Sequence, residues 1–128
     1  MRTHVHIFAY GTLLDRGAGL DALLDGSSRL RRAQLRGTLY DLGRFPALVI
    51  GGSGIVHGEI LRVPAERVPE LDRYEGVDSG TFRRIATEVA GTACWTYVAG
   101  PRLAARLTPE RRIDSGCWRD LRPELARP

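Results

Sequence analysis

The segment His4-Val-His-Ile-Phe-Ala9 alternates imperfectly between polar and apolar positions, the period-two pattern of a β-strand. It runs into Tyr10-Gly-Thr-Leu13, a turn with an early glycine. Gly19 to Leu24 reads as a short helix, stopped by Asp25-Gly-Ser-Ser28. A second strand is predicted over Ala33 to Tyr40, then a loop over Asp41 to Pro46 punctuated by Gly43 and Pro46. Ala47 to Ile50 and Ile55 to Val63 read as two strands joined through the hairpin composition Gly51-Gly-Ser-Gly54.

The clearest helix pattern is Pro64 to Tyr74. Val68, Leu71 and Tyr74 recur at spacings of three on one face, with Tyr74 at its edge. Pro69 lies in the first turns, where a missing N–H is tolerated. Phe82 to Val89 and Thr92 to Val98, separated by Ala90-Gly91, have the β-branched and aromatic content of an antiparallel pair. From Gly100 the chain becomes rich in proline and arginine, and Ile113 to Trp118 is the only segment there expected to pack. Many short strands with one or two helices predict an α+β fold: a small, partly closed, mixed or antiparallel β-barrel flanked by a few helices. No repeat, low-complexity tract or linker divides the 128 residues, so one domain is expected over residues 1–128, with an irregular tail from about residue 100.

Composition narrows the function classes. Hydrophobic residues make up 43% and charged residues 27%, ordinary for a soluble globular protein. No apolar run approaches a membrane span, and the start Met1-Arg-Thr-His-Val-His-Ile7 lacks the apolar stretch of a signal peptide. A cytoplasmic protein with no membrane partner is expected. All 19 basic positions are arginine, and asparagine is absent too, which reads as codon bias in a GC-rich genome. The arginines are scattered among Asp and Glu rather than clustered with aromatics, so no nucleic-acid partner is predicted. Cys94 and Cys117 lack a CxxC spacing and read as reduced and structural, Cys94 within an apolar strand. His4 and His6 share a strand face without a clear third ligand, so no metal is predicted. No surplus apolar stripe is apparent, and a monomer is expected.

Two features carry chemistry. Leu71-Asp-Arg-Tyr-Glu-Gly76 places the carboxylate of Glu75 in the last turn of the predicted helix, with Gly76 as its left-handed stop. The unpaired carbonyls at a helix end repel an anion, which raises its proton affinity and suits a group that takes up a proton and returns it. The plain alternative is a solvated glutamate closing an amphipathic helix. In Tyr10-Gly-Thr-Leu13, Gly11 allows a sharp bend with consecutive N–H groups exposed, a concavity able to hold a carboxylate or an oxyanion. On spacing alone this reading and an ordinary turn are about even. Glu59 reads first as a cross-strand partner for an arginine. Tyr40 and Tyr97 read first as core aromatics, and Arg83 and Arg84 as surface ion-pair partners.

Six motifs in register carry a resemblance. They are Tyr10-Gly-Thr-Leu13, Gly37-Thr-Leu-Tyr-Asp-Leu-Gly-Arg-Phe-Pro-Ala47, Val56-His-Gly-Glu59, Leu71-Asp-Arg-Tyr-Glu-Gly76, Phe82-Arg-Arg84 and Trp95-Thr-Tyr-Val98. Together, over about Ile7 to Trp118, they resemble the gamma-glutamyl cyclotransferase-like family, and within it the branch of gamma-glutamylamine cyclotransferase. The resemblance implies a β-barrel with a cavity at its mouth. It implies that Tyr10, Gly11, Thr12 and Leu13 bind a γ-glutamyl small molecule through backbone groups, and that Glu75 is the general acid/base. The implied reaction converts a γ-glutamyl amine or peptide to 5-oxoproline and the free amine, with no cofactor. Phe82 stands where the family often has a hydroxylated aromatic, and Cys117 where it often has an acid, so the resemblance leaves substrate choice open. A catalytically silent metabolite-binding module of the same fold is the alternative.

Overall fold

A computed structural model of the chain describes residues 3–14 and 24–121. Five strands form one curled sheet in the order β2-β3-β1-β5-β4, where β1 is His4–Ala9, β2 Ser28–Asp41, β3 Pro46–Pro64, β4 Phe82–Val89 and β5 Thr92–Ala99. Strand β1 lies at the centre, antiparallel to β3 from His4↔Pro64 to Ala9↔Glu59 and parallel to β5 at Ile7↔Trp95. Its central position explains its imperfect alternation. Ile7 belongs to one buried cluster, with Leu61, Val63, Leu71 and Tyr97; its neighbour Phe8 belongs to the other, with Leu39, Leu48, Val56 and Ile60. A strand covered on both faces has no polar face to display.

The predicted hairpin at Gly51-Gly-Ser-Gly54 is corrected. Residues on both sides of it belong to the same strand, β3, and both pair with β2: Arg36 opposes Ile55 and the next residue, Gly37, opposes Ile50. The glycine-rich stretch is therefore extruded from the ladder rather than reversing the chain. A turn at those residues would have pointed the two halves of β3 in opposite directions, and β2 can be antiparallel to only one direction.

The expected barrel does not close. Strands β2 and β4 are the ends of the hydrogen-bonded order. From β2, Arg31 reaches the β4–β5 turn, where its Nη2 donates to Thr92 Oγ1 at 2.6 Å and to the Ala90 carbonyl at 3.3 Å. Chain segments cover the sheet faces, which buries the core without closure.

The predicted helix is shorter than its pattern. Pro64 ends β3, a 3-10 turn spans Ala65–Arg67, and the α-helix proper, α1, is Val68–Tyr74. Val68 and Leu71 are buried, Leu71 against the strand residues Ile7, Leu61 and Val63, while Tyr74 is 46% exposed. The helix predicted over Gly19 to Leu24 lies, apart from the buried Leu24, outside the described residues. In the tail, 3-10 turns at Pro101–Arg106 and Pro109–Arg111 precede a four-residue helix, α2, Trp118–Leu121. Ile113 and Trp118 are buried as expected, but so is Leu103, which the sequence reading left out. Among the described residues no helix is long and apolar enough to cross a membrane.

Candidate active site

Glu75 is the C-cap of α1. The Gly76 N–H donates to the Arg73 carbonyl at 3.1 Å and the Val77 N–H to the Asp72 carbonyl at 3.0 Å, the paired bonds of a Schellman stop. This stop needs a left-handed residue, and Gly76 has φ +69°. The local sequence thus sets where the helix ends, and the burial of Leu71 sets which way it faces. Together they hold Glu75 against the sheet.

The bend after β1 faces it. Thr12–Leu14 forms a single 3-10 turn closed by the Leu14 N–H donating to the Gly11 carbonyl at 2.9 Å. The N–H groups of Thr12 and Leu13 open that turn and have no partner within it. Gly11 is required for a reason different from the expected bend. A Cβ there would stand 2.5 Å from Pro46 Cγ, so only a glycine lets the two segments touch. The Tyr10 ring is buried, and its hydroxyl donates to the Tyr97 carbonyl at 2.5 Å.

Glu75 and Tyr10, Gly11, Thr12 and Leu13 line one cavity of about 350 Å³. Ala9, Tyr97 and Phe82 form part of its buried lining, and exposed Tyr74 and Arg44 stand at its rim. The Tyr74 hydroxyl lies 3.4 Å from Thr12 Oγ1, across the two sides. A larger, more open hollow of about 890 Å³, reached from Arg32, His57, Glu59 and Cys117, does not contain Glu75.

Electrostatics single out Glu75. Burial, and secondarily the charge of Asp72 one turn earlier, push its carboxyl from 4.5 up to about 8. Burial and Asp72 account for this rise, so it does not rest on the helix terminus invoked from the sequence. Glu75 retains intermediate surface exposure through the cavity, yet its carboxyl is crowded by protein atoms. Asp72 is itself held in place. Its Oδ1 accepts from the Tyr97 hydroxyl at 2.7 Å and from Arg84 Nε at 2.9 Å. The Arg84 guanidinium lies 4.2 Å from the Trp95 ring centroid. Burial, reinforced by Glu75, raises the Tyr10 phenol, and burial followed by the bond to Asp72 raises that of Tyr97. Both hydroxyls stay protonated and act as donors.

Other candidates fall elsewhere. Tyr97 reaches the cavity, whereas Tyr40 packs at the edge of the core and Arg84 is engaged with Asp72. Glu59 pairs with Arg29 across strands at 3.3 Å. Arg44, Phe45 and Pro46 line the cavity but were not singled out from the sequence. Their one signal was the motif ending Leu-Gly-Arg-Phe-Pro-Ala47, whose proline now proves to abut Gly11. Among the described residues no cluster of His, Cys, Asp and Glu is placed to hold a metal ion.

Comparison with known proteins agrees with this architecture. The family model described as gamma-glutamyl cyclotransferase, AIG2-like, matches residues 7–120. The gamma-glutamylcyclotransferase family protein ytfP of Citrobacter rodentium is 32% identical over 120 residues, covering 91% of this chain and 96% of that one. Among solved structures, protein ytfP from Escherichia coli superposes with a TM-score of 0.70 at 28% identity over 92% of this chain and 99% of that one. An uncharacterized protein from Pyrococcus horikoshii gives a TM-score of 0.73 at 25% identity over 94% of each chain. The chain belongs to the gamma-glutamyl cyclotransferase family in its AIG2-like form.

Proposed function

We propose that this protein is a cyclotransferase that converts a γ-glutamyl amine or peptide to 5-oxoproline with release of the amine. The observation that carries the reading is the single cavity holding both the Glu75 carboxyl, raised to about 8, and the amide-rich bend at Tyr10–Leu13. At about 350 Å³ the cavity is at the small end of ligand sites, and suits the γ-glutamyl half while the leaving portion projects from the mouth.

In this reading the α-amino nitrogen of the substrate attacks its own γ-carbonyl and closes a five-membered lactam. Glu75 accepts the proton that the nitrogen sheds as the new C–N bond forms. A carboxyl raised to about 8 can take up that proton when ionised and still give it up near neutral pH. N–H groups of the bend stabilise the tetrahedral oxyanion. Glu75 then returns its proton to the departing nitrogen as the old amide C–N bond breaks. The atoms balance without water, since one amide becomes one lactam and one amine. Because attack is intramolecular, the site mainly holds the reactive rotamer.

The test is to incubate the protein with a panel of γ-glutamyl amines and dipeptides and measure 5-oxoproline. Glu75→Gln is expected to keep the fold and lose about 10²- to 10⁴-fold in turnover, the usual contribution of a general acid/base. Equal turnover by that variant would remove Glu75 from the mechanism. Thermal stabilisation by these compounds with no product formed would instead make the protein a binding module.

A further inference from the structure

The rim of the cavity carries a cation whose charge is unanswered. Arg44 is exposed, lines the cavity, and makes no hydrogen bond or ion pair among the described residues. It is the only cation among the described lining residues, and Glu75 the only acid. Arg29, Arg31, Arg67, Arg84, Arg106 and Arg111 each donate to a named partner, and the other described arginines without one lie outside this cavity.

The backbone beneath Arg44 is held firmly. The Leu42 N–H donates to the Phe45 carbonyl at 3.1 Å, and the Gly43 N–H to Asp41 Oδ1 at 2.9 Å. Arg106 Nη2 donates to the Leu42 carbonyl at 3.0 Å, and Arg111 Nη1 to that of Asp41 at 3.3 Å. The Phe45 ring meets Phe82 edge-on at 5.6 Å between centroids. A rigid turn thus presents a guanidinium with its full set of donors unspent. A fixed planar fork is matched to a carboxylate, which it can grip with two parallel bonds.

Position decides which carboxylate. In the cyclotransferase reading, on which this inference rests, the reacting atoms lie between Glu75 and the bend, among the buried lining. The γ-glutamyl half's own carboxylate is common to all such substrates and cannot discriminate between them. Exposed Arg44 meets what projects outward, the substituent on the departing nitrogen. We propose that Arg44 is a specificity-determining residue that selects leaving amines bearing a carboxylate, such as amino acids or peptides, over uncharged alkylamines.

The experiment compares γ-glutamyl-alanine with γ-glutamyl-ethylamide, which lacks only the leaving-group carboxylate. For the unaltered protein kcat/KM is expected to favour the acid about 10- to 100-fold, the range of a charged hydrogen-bonded contact, and Arg44→Ala to shrink that preference to within about threefold. No preference in the unaltered protein, or a preference that survives in Arg44→Ala, would overturn the proposal. The second result, with both substrates weakened alike, would assign Arg44 to the γ-glutamyl carboxylate instead. The same compounds are also titrated calorimetrically into Glu75→Gln protein with and without Arg44→Ala. An Arg44-dependent preference for the acid there, with no 5-oxoproline from any substrate, would sink the cyclisation reading while keeping the anion site. Turnover of both compounds with no Arg44-dependent preference would sink the anion site alone.

Discussion

The Tyr97 hydroxyl donates a 2.7 Å hydrogen bond to Asp72, tying β5 to α1 one turn ahead of Glu75. The same carboxylate oxygen accepts from Arg84 on β4. Asp72 is thereby held beside Glu75, and its charge adds to the burial that makes Glu75 a weak acid. The network links the sheet, the helix and the proposed chemistry.

That link predicts a pH profile. As the accepting group, Glu75 must be ionised, so kcat/KM is expected to fall as pH drops below about 8. Asp72→Asn removes the secondary cause of the rise and leaves burial, the larger one. The acidic limb should then move to lower pH without reaching that of a solvated glutamate. Because the substrate amine also titrates near 8 and shapes the same limb, direct titration of the Glu75 carboxyl in the two proteins checks this, and an unmoved titration would exclude Asp72 from tuning.

Glu75 also costs stability in a defined window. Its carboxyl titrates at 4.5 when free and at about 8 in the fold, so between those values the folded state binds the extra proton. Stability associated with Glu75 is complete below about pH 4.5 and is lost as pH rises through about 8. Relative to Glu75→Gln, the unaltered protein is expected to weaken by on the order of 3 kcal/mol between pH 5 and pH 9. Denaturant melts of both proteins at the two pH values give the difference directly.

Gly11 should tolerate no side chain. A Cβ would lie 2.5 Å and 2.8 Å from two atoms of the Pro46 ring, so the bend or the start of β3 must move. Gly11→Ala is expected to lose about 1–3 kcal/mol, the range for overpacking. Because the bend would move with it, KM for any turned-over substrate should rise as well. Thermal melts and steady-state kinetics on the same preparation test both parts.

Leu71 anchors the proposed acid from beneath. It is fully buried in the cluster that also contains Ile7, Leu61 and Tyr97. Leu71→Ala is expected to destabilise by about 2–5 kcal/mol. Urea unfolding provides the measurement, and a loss below about 1 kcal/mol would show that α1 is not held by this contact.

Much of this was legible in the linear chain because it is local. The end of α1 follows from Tyr-Glu-Gly76, since a left-handed glycine is a short-range requirement, and the β4–β5 pair follows from Ala90-Gly91 between two β-rich runs. Val68 and Leu71 declared the buried face of α1 by their spacing. What tertiary structure decided is everything that depends on residues far apart. Both flanks of Gly51-Gly-Ser-Gly54 share one partner, and no local pattern says which strand a segment will pair with. Curling left β2 and β4 unjoined, a property of cumulative twist rather than composition. Pro46 against Gly11, Asp72 beside Tyr97 and Arg84, and Arg44 on the rim above Glu75 are meetings of distant segments. The proton affinity of Glu75 belongs with them, because burial is conferred by the fold around a side chain and is not carried by the side chain itself.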